Sequence, residues 1–375
     1  MQTRAAVLTA MGKPAPYAQS RPLEIRTVSL DEPRFGEVLI RIRAAGLCHS
    51  DLSVINGSRP RPVPMVLGHE AAGEVVAVGP GVVQLQPGDR VVCSFVPSCG
   101  HCGPCREGRP NLCETGAAAN TAGTLLSGAR RLHGEDGGEI HHHLGVSAFA
   151  EYAVVSEHSL VKVDADLPFE ELAVFGCAVM TGVGAVINTA RVPAGSSVAV
   201  IGLGGVGLAA LLGAVASGAR RIVAVDVNPQ KLRQAEELGA TDTFDARDPE
   251  VAERVRAATE GGVEFAIETA GAVPALETAF RVTRRGGTTV TTGLPHPDHR
   301  LSLPPVILTA EERTLKGSYV GSCVPSRDIP RFVEMYRRGR LPVDRLLSGR
   351  IGLDEVNEGF DRLARGEVNR LILVP

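Results

Sequence analysis

Gly202-Leu203-Gly204-Gly205-Val206-Gly207 lies between a β-branched apolar run ending at Ile201 and a long apolar run that follows it. This is G-x-G-x-x-G after a strand and at the start of a helix, a pattern few folds accommodate. The first glycine makes the tight turn, the second lets the backbone approach a pyrophosphate, and the third lets helix and strand pack closely. The helix N-terminus offers unpaired N–H groups and a favourable dipole to phosphates. Asp226 closes the next predicted strand, 19 residues after Gly207, where an acid can bind ribose hydroxyls. Asp226 would also repel a 2′-phosphate, and Val227 and Asn228 supply no arginine to hold one, so NAD is expected over NADP. Taken alone, the six residues also fit a glycine-rich turn of another α/β protein, because 43 of the 375 residues are glycine.

The same glycines dispose of a rival. Val198 to Ala219 runs for 22 residues without a charge, a length that permits a membrane helix. Four glycines near its start make strand, turn and helix the better reading. The opening MQTRAAVLTAMGKPAP contains no long apolar core of a secretory signal, so a cytoplasmic protein with no membrane partner is expected, without a disulfide framework. Lys+Arg of 39 against Asp+Glu of 42 leaves no polybasic footprint for nucleic acid, and 4% aromatic residues with no Trp disfavour a base-stacking surface.

A length of 375 residues suggests two domains. Up to about residue 180, short Val/Ile runs separated by Gly and Pro indicate a β-rich domain with many turns. Residues 94–145 show little periodicity and are expected as long loops, which need a metal staple or a function. From about 180, strands and helices alternate: SSVAVIG, GVGLAALLGAVASG, RIVAVDV, PQKLRQAEELG, VEFAIETAG, PALETAFRVTR and TTVTTGL. That succession predicts α/β architecture, a doubly wound parallel sheet covered on both faces. Two more helices and an apolar strand, RLILVP, end the chain.

Cys99, Cys102, Cys105 and Cys113 form C-x2-C-x2-C-x7-C. Four soft thiolates so close in sequence suit a closed tetrahedral zinc site that pins a loop. The spacing departs from the usual iron–sulfur run, which ends in C-x3-C-P. His101 lies inside the loop and is not needed as a ligand. The run His141-His142-His143 invites a metal reading, but adjacent side chains do not readily converge on one ion. Cys48, His69 and Cys177 are dispersed, and no pair of them is convincing alone.

Together, however, G-L-C-H-S-D at 46–51, G-H-E at 68–70, the four cysteines, G-C-x3-T-G from Gly176 and the glycine fingerprint stand in a familiar order. The chain resembles the zinc-dependent medium-chain alcohol dehydrogenases over nearly its whole length, and within them the class III-like, dimeric branch. The resemblance implies a GroES-like catalytic domain formed by residues 1–178 and 320–375, with an NAD-binding Rossmann domain at 179–319 between them. It implies that Cys48, His69 and Cys177 hold a catalytic zinc with one open position, making two zinc ions per chain. The activity implied is reversible oxidation of a primary, aromatic or secondary alcohol to an aldehyde or ketone, with hydride passed to NAD.

By the same resemblance Ser50 accepts the alcohol proton, Asp51 orients His69, and Glu70 lies close to the zinc; a plain salt bridge is the other reading of Glu70. His49 and Arg370 fall at pyrophosphate positions and Lys231 at the adenosine ribose, although a solvated charge is an equal reading of exposed Lys or Arg. Phe95 and Leu294 match pocket-lining positions, Leu294 also lying near the cofactor, and either may equally be read as core. Many members carry a histidine where this chain has Ser53, so the proton relay is expected to be shortened or water-borne. Arg59 stands where the glutathione-linked formaldehyde dehydrogenases carry an acid, which disfavours that alternative. Cys177 stands where polyol dehydrogenases commonly have glutamate. A non-catalytic zinc or redox sensor would not need an open zinc position and a proton relay. The long interval from Cys113 to Cys177 fits the dimeric branch, so a homodimer through the Rossmann sheets is expected. Cys93 and Cys323 remain as core thiols.

Overall fold

The computed structural model describes residues 1–164 and 166–375. The chain divides into two compact units, Met1–Cys177 with Val324–Glu334 and Leu347–Pro375, and Ala178–Cys323 with Met335–Leu346.

The first unit is built on two β systems. Strands Gln2–Leu8, Leu23–Leu30, Leu132–His133, Glu139–His142 and Met65–Val66 close into a small barrel. Val7, Val28, Leu30, Val66, Leu132 and Ile140 fill its core. The second sheet is organised around Glu37–Gly46, which pairs antiparallel with Glu70–Val78, Tyr152–Ser156 and Ile372–Val374. Its register sets Gly46 opposite Glu70 on one side and Ile372 on the other. Residues far apart in sequence therefore meet at the end of one strand.

Residues 94–145, expected as loops, contain a nine-residue helix, Glu114–Ala122, as well as two barrel strands. The helix has almost no apolar stripe to reveal it. Its start is fixed instead by the Cys113 sulfur, which accepts from the Gly116 N–H at 3.3 Å. The cap and the cysteine loop are thus one local structure.

The second unit is a six-stranded sheet in the order Asp242–Asp245, Arg221–Asp226, Ser197–Ile201, Val263–Glu268, Thr283–Thr291, Thr314–Gly317. Every pairing is parallel, and the order reverses beside Ser197–Ile201, the arrangement of a doubly wound nucleotide-binding fold. Ser197–Ile201 is buried along its whole length, as a strand covered on both faces must be. The apolar stretch resolves into this strand and the helix Gly205–Ala216. Among the described residues no single helix is long and apolar enough to cross a membrane.

Three elements escaped the hydrophobic pattern. Asp242–Asp245 is a short polar strand with all four residues half-buried, and Val251–Ala258 and Thr314–Gly317 are similarly brief. The tail also divides differently from the sequence expectation. Met335–Leu346 joins the second unit, where the Arg345 guanidinium donates to Glu237 O at 3.0 Å and the Gln234 amide donates to Arg345 O at 3.2 Å.

A Cβ on Gly207 would lie 1.8 Å from the Gly202 carbonyl oxygen, whereas one on Gly204 would meet no protein atom within 4 Å. Gly207→Ala is therefore expected to lower the melting temperature by several degrees, because the turn must open to admit the methyl group. Gly204→Ala should melt as the wild type does. Differential scanning calorimetry of both variants checks the pair, and equal melting would show that the turn yields at little cost.

Candidate active site and metal centres

Cys48 is the residue before the helix His49–Ile55, and His69 directly precedes the strand Glu70–Val78. Cys177 follows a short turn, Val174–Gly176. A Cβ on Gly176 would lie 2.3 Å from Cys93 O, so only glycine lets this turn sit down on the strand beside Ala71. The result brings the ligand atoms of Cys48, His69 and Cys177 within 4.8 Å of one another, all buried.

The donor set fits a borderline-soft metal such as zinc. His69 Nε2 is buried without a hydrogen-bond partner, a state that costs about 1–3 kcal/mol unless something else satisfies the atom. The other ring nitrogen is held: His69 Nδ1 lies 3.1 Å from Asp51 Oδ1, which also accepts from Gly68 N–H at 3.1 Å. With Nδ1–H donating to the Asp51 carboxylate, the lone pair of Nε2 is left for a metal. A hydrogen bond from Cys177 outweighs burial and, with the charge of Arg370, holds the Cys48 thiol well below its ordinary range. Burial alone would raise the Asp51 carboxyl, but the charge of His69 and the contacts with His143 and His69 bring it to about 2.

Glu70 pairs with Arg370 at 3.0 Å, both side chains being almost wholly buried. The Arg370 guanidinium also donates to Leu47 O at 2.9 Å. Burial would lower this guanidinium's pKa, yet Glu70 and the two nearby thiols raise it. Arg370, expected at a pyrophosphate, is thus only 3% exposed and engaged beneath the cysteine–histidine cluster. Glu70 proves to be both an ion-pair partner and a charge felt at Cys177.

Ser50 is half-buried and His49 exposed on the same short helix. The Ser53 hydroxyl donates to His49 O at 2.8 Å, a bond back along its own helix. Phe95 is buried, with its ring 5.0 Å from that of His69 in an edge contact. Arg59 is half-buried, and its N–H donates to Ser53 O. The adjacent histidines point to different partners. His141 Nδ1 accepts from the Arg130 guanidinium and His142 Nε2 from Arg131 N–H. His143 Nε2 lies 3.3 Å from Asp51 Oδ1, a placement that no local pattern announced.

Cys99, Cys102, Cys105 and Cys113 bring four sulfurs within 4.8 Å. Backbone N–H groups of Cys99 and Gly116 point at Cys113 Sγ, and that of Cys102 at Cys99 Sγ, at 3.2–3.4 Å. A hydrogen bond from Thr115, then the N–H groups of His101 and Cys102, bring the Cys99 thiol down to about 5. Such donors stabilise thiolates and suit a closed four-sulfur metal site. His101 Nδ1 is 2.8 Å from Cys99 O, outside the sulfur set. Cys93 is different in kind: burial pushes its thiol up to about 12, so it stays a protonated core residue.

In the second unit, Asp226 is buried at its strand end and accepts from Leu203 N–H at 2.6 Å and Asn228 N–H at 2.8 Å. It therefore braces the glycine turn from within. The open space before Gly204 and the N-terminus of Gly205–Ala216 form a cradle of the kind a pyrophosphate occupies. Val206 and Lys231 are half-buried, while Leu294 is exposed, with its backbone beside Gly271.

A β-rich unit that gathers one three-residue and one four-cysteine set of side chains able to hold a metal, and a doubly wound unit of the nucleotide-binding type, have the build of a zinc-containing dehydrogenase. The comparisons agree. Residues 34–165 match the alcohol dehydrogenase GroES-like domain and residues 205–338 the zinc-binding dehydrogenase domain. An NDMA-dependent alcohol dehydrogenase of Amycolatopsis methanolica is 42% identical over 380 residues, covering 100% of this chain and 99% of that protein. Among solved structures, an alcohol dehydrogenase zinc-binding domain protein of Burkholderia ambifaria (36% identical, TM-score 0.94) and the benzyl alcohol dehydrogenase of Acinetobacter calcoaceticus (33%, 0.93) each match 100% of this chain and 99% of their own. The chain belongs to the zinc-dependent medium-chain alcohol dehydrogenase family, and is an alcohol dehydrogenase with a GroES-like domain and a Rossmann domain.

Two outcomes are expected. Elemental analysis should give two zinc ions per chain; Cys48→Ser should lose one together with activity, and Cys99→Ser the other together with thermal stability. A single zinc lost in both variants would mean that only one centre forms. The second outcome concerns pH. Burial first of all lowers the His142 ring pKa to about 3, against about 6.5 in an unfolded chain. Between these values the unfolded chain binds the extra proton, so stability falls as pH drops through 6.5. From pH 7.5 to 5.5 wild type should lose about 1.4 kcal/mol more than His142→Gln, measured by urea unfolding at each pH. Parallel losses would place the ring in water.

Proposed function

We propose that this alcohol dehydrogenase interconverts primary, aromatic or secondary alcohols with their aldehydes or ketones, using NAD and two zinc ions per chain. The contrast between the two metal centres carries the reading. Four thiols leave a tetrahedral ion no open position, whereas Cys48, His69 and Cys177 supply three ligands and leave one. Zinc at the three-ligand centre supplies Lewis acidity toward an alcohol oxygen, and NAD supplies the hydride acceptor.

The chain's own residues do the rest. Asp51 fixes the ring of His69, and Glu70 with Arg370 balances the charge of the buried thiols. Ser50, two residues after Cys48 and half-exposed, takes the alcohol proton and passes it to water. Ser53 is engaged with His49 O and is left out of the relay. Phe95 forms an apolar wall beside His69, which favours an aromatic or alkyl substituent over a charged one. Asp226 favours NAD over NADP and the space at Gly204 admits the pyrophosphate, with Lys231, His49 and Leu294 as further cofactor contacts. The edge strand Thr314–Gly317 and the exposed Val306 and Leu308 support a homodimer through the Rossmann sheets. Among the described residues no cysteine is in a disulfide, which suits the cytoplasm.

A second reading, in which the electrons reach NDMA rather than free NAD, is favoured by the relative from Amycolatopsis methanolica that is named for it. Benzyl alcohol, ethanol and 2-butanol, each with NAD, with NADP, with NDMA, and with or without glutathione, separate the readings. Absorbance growth at 340 nm with NAD alone supports the first. Bleaching of NDMA without added NAD supports the second, a strict glutathione requirement would revive the formaldehyde alternative, and equal affinity for NADP would remove the role of Asp226. Within either reading Ser50→Ala should lower kcat by about 100-fold or more, and Ser53→Ala by less than about twofold; equal losses would put Ser53 in the relay.

A further inference from the structure

Asp51 does not serve His69 alone. His143 Nε2 lies 3.3 Å from the same oxygen, Asp51 Oδ1, that receives His69 Nδ1 at 3.1 Å. The two imidazole rings meet edge-on, with centroids 5.6 Å apart and planes at 75°. His143 is 2% exposed, neither of its ring nitrogens completes a hydrogen bond of good geometry, so the 3.3 Å approach of Nε2 to Asp51 is the one polar contact its ring makes on that side, and Asp51 Oδ2 is likewise buried without a partner. For packing alone, an apolar ring would fill this position without leaving polar atoms unanswered. The three side chains Asp51, His69 and His143 approach within ligand distance of one another, but His69 Nδ1 is taken up in donating to Asp51 Oδ1, so they do not make a second metal site.

The backbone is arranged to hold this ring. Leu144 and Ser147 both have positive φ, 51° and 57°, a conformation that costs non-glycine residues on the order of 1–3 kcal/mol each. The Ser147 hydroxyl accepts from His143 N–H at 3.0 Å and donates to Val66 O at 2.9 Å. Ala148 and Phe149 N–H groups then donate to Gly68 O and Leu67 O. The segment that carries His143 is thus stitched to Val66, Leu67 and Gly68, the three residues that directly precede His69.

From this geometry we infer that His143 is a positioning residue of the catalytic metal centre, which steers the Asp51 carboxylate through an Nε2–H contact and so sets the aim of His69 Nε2. Any protonation state that satisfies Asp51 places a proton on Nε2. The inference rests on the reading of Cys48, His69 and Cys177 as a metal centre. His143 acts through Asp51 and touches no reacting atom.

The test uses the full-length protein with its three-ligand centre loaded with Co2+, whose visible absorption reports ligand geometry. His143→Phe keeps the ring volume and removes the donor, and His143→Gln keeps an N–H donor at similar reach. We expect His143→Phe to release cobalt to a chelator about 10-fold faster, with a shifted spectrum, a lower kcat and little change in KM. His143→Gln should remain within about threefold of wild type on each measure. Wild-type release and spectrum in the Phe variant would overturn the inference, as would equal losses in both variants accompanied by a lower melting temperature. Wild-type protein that takes up no cobalt sensitive to Cys48→Ser would overturn the metal reading itself, which is a different failure.

Discussion

Cys48, Asp51, His69, Glu70, Cys177 and Arg370 are all buried in one place, and buried charge must be answered by charge or by hydrogen bonds. Removing one partner of such a buried pair typically costs about 3–5 kcal/mol, so the groups stand or fall together. Glu70 and Arg370 answer each other at 3.0 Å, and Asp51 answers His69 at 3.1 Å. The thiols of Cys48 and Cys177 and the Nε2 of His69 are left facing one another. Two thiols and an imidazole nitrogen so placed are a set that a metal ion would satisfy, and the sheet register is what brings them together.

The register matters because the contributors are distant in the chain. Gly46 stands between Glu70 and Ile372 across two strand pairings, so the end of Glu37–Gly46 delivers Cys48, His69 and Arg370 to one point. A Cβ at Gly46 would fall 2.7 Å from the Glu70 carboxylate, which shows how little room separates the strand from the ion pair. The same economy appears in the second unit. Asp226, placed to meet a ribose, also receives two backbone N–H groups and braces the turn it serves. In both units the groups that would hold a cofactor also hold the backbone around it.

Much of this was legible beforehand, and the physical reason differs by motif. The cysteine loop and the glycine turn are local: their ligands or amides come from consecutive residues, so spacing alone carries the chemistry. The strands Ser197–Ile201 and Arg221–Asp226 are buried along almost their whole length and read as apolar runs. Asp242–Asp245 is half-buried and polar, and gave no such signal. Helix Glu114–Ala122 hid for a related reason, since its start is fixed by a cysteine sulfur rather than by Ser, Thr, Asp or Asn. The pairing of Arg370 with Glu70 was not foreseen, because a lone arginine near a chain end reads like any solvated cation.

His141, His142 and His143 mark the boundary most clearly. Adjacent residues sharing one side-chain type diverge to Arg130, Arg131 and Asp51, and nothing in three identical letters foretells which ring goes where. The sequence by itself determined the Rossmann turn, the four-sulfur loop and the alternation of strand and helix, because each is dictated by contacts among near neighbours. Tertiary structure alone decided that Cys48, His69 and Cys177 share a point, that Glu70 holds Arg370, and that His143 reaches Asp51. Those contacts depend on strand register and loop path over separations of 21 to 300 residues, where local pattern carries no information about distance.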